Sequence, residues 1–345
     1  MSSAEVTRKG LRHVRPGREA VIGASLGRAS PRAKRRRGGE TPVVPDVELS
    51  SYYGKPIINP PVWQSPDIPA YLFFGGLAGA SSVLGAAAEL TGSARVAKNA
   101  KVTAAAAIGI SVAALIHDLG RPSRFYNMLR VFKPTSPMSV GSWLLASYGP
   151  LAAASAASTL SGVLPPLGRA ATIGAAVLGP GVASYTAALL SDTAVPAWHE
   201  GHRELPFVFC GSAMTAAAGA SLLGAPCNEG APAKRLAVLG VLSESVAALT
   251  MEKRMGDVAK PYRSGKSGIL MRGGAALAFG GVALGLVSGR WRWAPRAAGA
   301  MLLGASALTR WGIFEAGLVS AKDPAYTVAL QRKRRDDRLA TTLGS

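Results

Sequence analysis

The chain has 345 residues, of which 48% are hydrophobic and only 17% charged, with 41 glycines and a formal net charge of +20. So apolar and glycine-rich a composition excludes an ordinary soluble domain, and its positive charge, lying in tails and loops between apolar runs, points to a membrane surface rather than to nucleic acid. The two cysteines, Cys210 and Cys227, have no CxxC or cluster-binding spacing, so the sequence offers no iron–sulfur or zinc site of its own.

Residues 1–60 are read as a basic, largely disordered tail with no apolar signal-peptide region, attracted to anionic lipid. Eight apolar segments follow, each near the ~20 residues that span a hydrocarbon core. The first runs from Ile68 to Leu90 and the second, rich in alanine, from Asn99 to His117. The third starts at Val140 and stays uncharged as far as Gly168, so its outer end is not marked. The fourth, Ala171 to Ser191, contains Gly179-Pro180-Gly181, which predicts a kink. The fifth is Leu205 to Leu223, and the sixth, Lys234 to Met251, has Glu244 near its centre. The seventh, Ile269 to Val287, offers a small-residue face with Gly281 and Gly285, continued by Gly289; the eighth, Ala294 to Leu318, carries Arg310 and Glu315. The expected fold is an all-α, polytopic membrane bundle over residues 61–321, followed by a basic tail at 322–345.

Lys and Arg counted on alternate sides fix the expected orientation. With the N-terminus inside, 30 of the 39 fall on the inner side, and the excess survives removal of the N-terminal tail. Both termini are therefore expected in the cytoplasm, and the chain in the cell membrane.

That topology gathers the informative polar residues at the inner face. His117, Asp118, Arg121 and Arg124 emerge there from segment two, with Tyr71 and Trp143 at similar depth. His199, Glu200 and Arg203 lie in the loop after segment four, and Arg310 and Glu315 close segment eight. His117 is the single histidine in an expected span, which argues against an intramembrane bis-histidine haem. Intramembrane acids are costly and usually functional, so Glu244 and Glu89 are candidate proton-relay residues, with a structural partner for a neighbouring base as the other reading of Glu244. Arg310 and Glu315 suit an inter-helix clamp or docking contacts.

The run His117-Asp118-Leu119-Gly120-Arg121-Pro122, continued to Ser136-Pro137-Met138-Ser139, resembles the signature of the NrfD/polysulfide-reductase membrane-subunit family. So do Trp198-His199-Glu200 with Arg203-Glu204-Leu205-Pro206, and Arg310-Trp311-Gly312-Ile313-Phe314-Glu315-Ala316-Gly317 with Asp323-Pro324. The resemblance spans about residues 50 to 335. It implies a subunit without haem or iron–sulfur cluster, which exchanges electrons between a partner and menaquinone or another quinone. The implied partners are a four-cluster ferredoxin-like iron–sulfur subunit and a molybdopterin-type, for instance formate dehydrogenase-like, catalytic subunit. Quinone-binding candidates are His117, Asp118, Arg121, Tyr71 and Trp143, with Asp118 expected to orient or recharge His117. Docking candidates are Arg124, Asn127, Arg130, His199, Glu200, Arg203, Arg310 and Glu315. The competing readings are an ion or proton transporter, against which no paired broken helices with repeat symmetry are apparent, and a purely structural anchor.

Overall fold

The computed structural model describes residues 5–7, 10–12, 57–59, 61–224, 230–287, 291, 293–328 and 331. Residues 62–318 form one compact unit; residues 1–61 together with 319–345 form another. In the latter, β1 (Glu5–Thr7) pairs antiparallel with β2 (Gly10–Arg12). Apart from these strands and residues 57–59, the expectation of a disordered tail over residues 1–60 falls outside the described residues.

Within the larger unit the order is α1 (Asp67–Leu90), α2 (Ala94–Asp118), α3 (Phe125–Met128), α4 (Pro137–Ser161), α5 (Pro165–Ser191), α6 (Pro196–Glu200), α7 (Leu205–Gly224), α8 (Ala231–Met255), α9 (Lys260–Arg263), α10 (Gly265–Leu286) and α11 (Ala294–Lys322), the last running past its end. Helices α1, α2, α5, α7 and α10 are long and apolar enough to cross a membrane, so the chain is a multi-pass membrane protein. The other three long helices, α4, α8 and α11, have 25, 25 and 29 residues but are diluted by serine and glycine (α4) or by charge (α8 and α11).

Local chemistry sets the boundaries. Prolines open α4, α5 and α8, where a missing N–H costs no helix bond. Gly162 ends α4 in a left-handed conformation at φ 72°, supplying the outer end that an uncharged run from Val140 to Gly168 leaves unmarked. Helix α5 continues through Pro180, where a kink is expected from sequence.

The long helices pack as two rings of four. In the first, α1 meets α2 and α5, and α4 meets α2 and α5. Ring closure between α1 and α5 passes through Gly79 and Gly179: a Cβ on either would stand 2.3–2.4 Å from the carbonyl oxygen of the other. In the second ring, Ala218, Leu222, Ala237, Val241, Ala278, Ala298 and Leu302 bring α7, α8, α10 and α11 into one core. Helices α7 and α11 close it through Gly219 and Gly299. In lipid, where apolar burial between helices is weak, such close backbone approach is the main source of helix association.

Candidate functional site

Helix α2 ends at the face where α1 begins, which brings His117 to Asp67. The His117 Nδ1 lies 2.8 Å from Asp67 Oδ2, and the imidazole side chain is 79% exposed. Asp118, expected to orient His117, instead accepts a hydrogen bond from the Gln64 backbone N–H at 3.2 Å. Asp67 is the residue that sequence reasoning missed. One turn further along α1, on the same side of the helix, Tyr71 is fully buried and its hydroxyl is hydrogen-bonded to that of Tyr185 on α5. The Tyr185 ring lies against Gly141 of α4, where no Cβ would fit. Trp143 is at the surface, edge-on to Phe132 with centroids 6.3 Å apart.

The loop after α2 keeps its cationic side chains in the open: Arg121, Arg124 and Arg130 are exposed, as are Asn127 and Lys133. Tyr126, Val131 and Phe132 beside them are also exposed, giving a basic surface with apolar points.

A second polar group belongs to the same end of the bundle. Trp198 of α6 is fully buried, stacked on Trp63 and tilted against Phe314, and its indole N–H donates to the Ile313 carbonyl at 2.8 Å. This fixes α6, from which His199 and, beyond it, Arg203 project exposed, while Glu200 is half-buried. Just before α7, Glu204 accepts two hydrogen bonds of 2.7 Å from Arg254 at the end of α8, and Arg254 also donates to the Glu200 carbonyl. That bidentate pairing holds the Glu204 carboxyl below the usual carboxylate range, against an opposing effect of partial burial. Glu315 is paired with Lys266 at 3.0 Å.

Arg310 is inside the bundle, with no exposed surface, which corrects the expectation that it docks a partner. It donates to the Phe209 carbonyl of α7 at 2.7 Å and lies over the Phe209 ring at 3.8 Å, so it clamps α11 to α7. Gly76 of α1 leaves the space it fills. Its Nε and Nη1 are buried without a hydrogen-bond partner. Glu244 on α8 interacts electrostatically with Arg310 and accepts a hydrogen bond of 2.8 Å from Thr309. The two charges thus sit within one polar group at mid-depth of the second ring.

Glu89 lies at the opposite end of α1, paired with Lys101 of α2 at 2.6 Å and flanked by Arg169 at 3.8 Å. The Lys101 side chain is only 8% exposed and borders a cavity of about 10 Å³ with Ser82, Ser155 and Thr172. This is the room one water needs, and the lining offers it several polar partners. Glu89 and Glu244 are therefore not brought together: they belong to different rings.

Among the described residues, no group of three or more His, Cys, Asp or Glu is placed to hold a metal ion. Cys210 is a free thiol, and Cys227 lies outside the described residues.

A sequence model of the family described as "Polysulphide reductase, NrfD" matches residues 57–234, slightly more than half of the chain. The matched part contains the loop from His117 to Ser139 and the Trp198–Pro206 run, and it stops early in α8. No curated protein matches the chain.

Proposed function

Because the chain belongs to the NrfD family of polysulphide reductase membrane proteins, we propose that it anchors an oxidoreductase complex and exchanges electrons with membrane quinone at the end of the bundle where His117 emerges. The observation that carries this reading is the His117–Asp67 pair, its imidazole exposed and its carboxylate half-buried, one helical turn from the buried Tyr71–Tyr185 hydroxyls. Reducing a quinone takes two electrons and two protons. An imidazole in contact with a carboxylate is suited to hydrogen-bonding a quinone oxygen and passing it a proton near neutral pH. The electrons come from an iron–sulfur partner, and a molybdopterin-type subunit is its source of reducing equivalents.

The exposed cations Arg124 and Arg130, with Asn127, and with His199, Glu200, Arg203 and Glu315 at the same face in the expected topology, supply the docking surface for that partner, while Arg121, also exposed, is kept for the quinone. An acidic protein would be drawn to such a surface, and Tyr126 and Phe132 offer it apolar contact. All eight long helices are spans in this reading, with both termini in the cytoplasm and the complex in the cell membrane. Glu89, beside its buried lysine and water-sized cavity, and Glu244 are the groups through which protons enter or leave the bundle.

Quinol-linked turnover by membranes containing the complex tests the assignment. Turnover that requires this subunit supports it; a complex that reacts with soluble dyes but never with quinone reduces the chain to a structural anchor. Ion flux through liposomes holding the subunit alone would favour a transporter instead.

A further inference from the structure

The two rings are copies of one unit. Helices α2 and α8 each have 25 residues, and a shift of 137 positions carries Ala94 onto Ala231, Asp67-Ile68-Pro69 onto Glu204-Leu205-Pro206, and His117 onto Arg254. In both copies a short 3₁₀ turn and a four-residue helix follow the second long helix: Pro122–Arg124 with α3, and Gly256–Ala259 with α9. The first and fourth long helices of each copy cross at a pair of glycines, Gly79 with Gly179 and Gly219 with Gly299. The sequence hides the repeat because only the ends of the helices keep the shift of 137, while the two glycine pairs stand 140 and 120 positions apart. The copies have the same polarity, as in parallel repeats related by an axis along the membrane normal.

The repeat places two acid–base pairs at corresponding sites. In the first copy Asp67 at the start of α1 meets His117 at the end of α2, 50 residues on. In the second Glu204, next to the start of α7, meets Arg254 near the end of α8, also 50 residues on. They differ in chemistry and cover. His117 is 79% exposed and makes one contact of 2.8 Å with its acid, whereas Arg254 is 29% exposed and grips its acid with two bonds while a third reaches the Glu200 carbonyl. A guanidinium keeps its proton throughout the working range of pH; an imidazole does not. Charged groups acting near His117 are Asp67 from α1 and Asp118 from its own helix.

We propose that Asp67 is the positioning carboxylate of a proton-exchanging pair with His117, and that Glu204 and Arg254 are its locked copy, which holds the second ring together and exchanges no protons. Resting on the quinone reading, this names the residue that orients the imidazole and confines proton exchange at this face to the first copy. During quinone reduction the two electrons come from the iron–sulfur partner; His117 gives one proton to a quinone oxygen and is reprotonated from the aqueous side, the second proton reaches the other oxygen from the same side, and Asp67, held to Nδ1, fixes which ring nitrogen faces the substrate. Quinol oxidation runs the same transfers backwards.

The test uses the purified complex with its native partners, assayed for quinone-linked and dye-linked turnover across a range of pH. His117→Arg gives the first copy the base of the second. It is expected to assemble with normal dye activity and to lose quinone-linked turnover by about 100-fold, as expected for removal of a general acid–base group. Asp67→Asn is expected to lower quinone-linked turnover by about tenfold and to move the pH profile, with dye activity retained; it also keeps the test decisive if the arginine variant fails to assemble. Glu204→Gln is expected to lower thermal stability and leave the pH profile in place. Wild-type quinone turnover together with unchanged rates and profiles in Asp67→Asn and in whichever His117 variant assembles would overturn the pair and its place at the end of α2, and leave standing only that the complex is quinone-linked. Absence of quinone-linked turnover in the wild-type complex would overturn both.

Discussion

Gly79 of α1 and Gly179 of α5 meet backbone to backbone, each lying where the other's carbonyl oxygen leaves no room for a methyl group. The obstacle is main chain on both sides and cannot swing aside as a side chain would. Gly79→Ala is expected to cost about 2–3 kcal/mol by overpacking. Unfolding in a detergent titration measures it. Gly109, whose added methyl would meet nothing within 4 Å, provides the control, with little change expected on substitution by alanine.

The Glu204–Arg254 pair gives the bundle an acid-sensitive fastening. The Glu204 carboxyl titrates lower in the folded protein than its ordinary value of 4.5, first because Arg254 hydrogen-bonds to its charged form. Its contribution is therefore complete above the unfolded value and is lost as pH falls through the lower, folded one. Thermal melts taken from neutral pH down to about pH 3 should show wild type losing more stability than Glu204→Gln. Arg254→Ala, which strands the carboxylate, is expected to cost about 2–3 kcal/mol at neutral pH.

The long helices were legible because their apolar runs are long and their ends carry proline, glycine or charge. All eight expected segments correspond to long helices, to within several residues at their ends. Pairings across helices were not legible. Asp67 reads as an acid in a first helical turn, an ordinary complement to the helix dipole. Only the antiparallel run of α1 and α2 brings it to a histidine 50 residues away. Lys101 falls among the outer-loop cations in a charge count, yet packing against Gly85 and Glu89 buries it. Of the two roles open to Arg310 in the sequence, clamp and docking contact, its burial leaves the clamp: depth along a helix can be counted from sequence, but the face it occupies depends on neighbours, here Phe209 and Gly76.

Arg310 and Glu244 balance one another in a region where an unpaired charge is expensive. Arg310→Met is expected to destabilise the protein by about 3–5 kcal/mol, since it leaves the carboxylate uncompensated. Adding Glu244→Gln should recover part of that loss, because a neutral amide can still accept from Thr309. Detergent unfolding of the two single variants and the double variant gives the coupling. Strictly additive losses would mean that the two charges do not support each other.

Trp198 anchors α6 against α11. A Cβ on Gly317 would come within 1.9 Å of the indole, so Gly317→Ala should expel the tryptophan from its slot. Since Trp198 also stacks on Trp63, the variant is expected to raise tryptophan exposure, read as a red shift of fluorescence and faster quenching.

The most direct test of the whole account replaces His117 by alanine in the purified complex and compares quinone-linked with dye-linked turnover. With His117 as the proton donor at the end of α2, quinone reduction is expected to fall by about 100-fold or more while dye activity stays within about twofold of wild type. Undiminished quinone turnover would contradict that role, and would remove the site at the end of α2 from the chemistry.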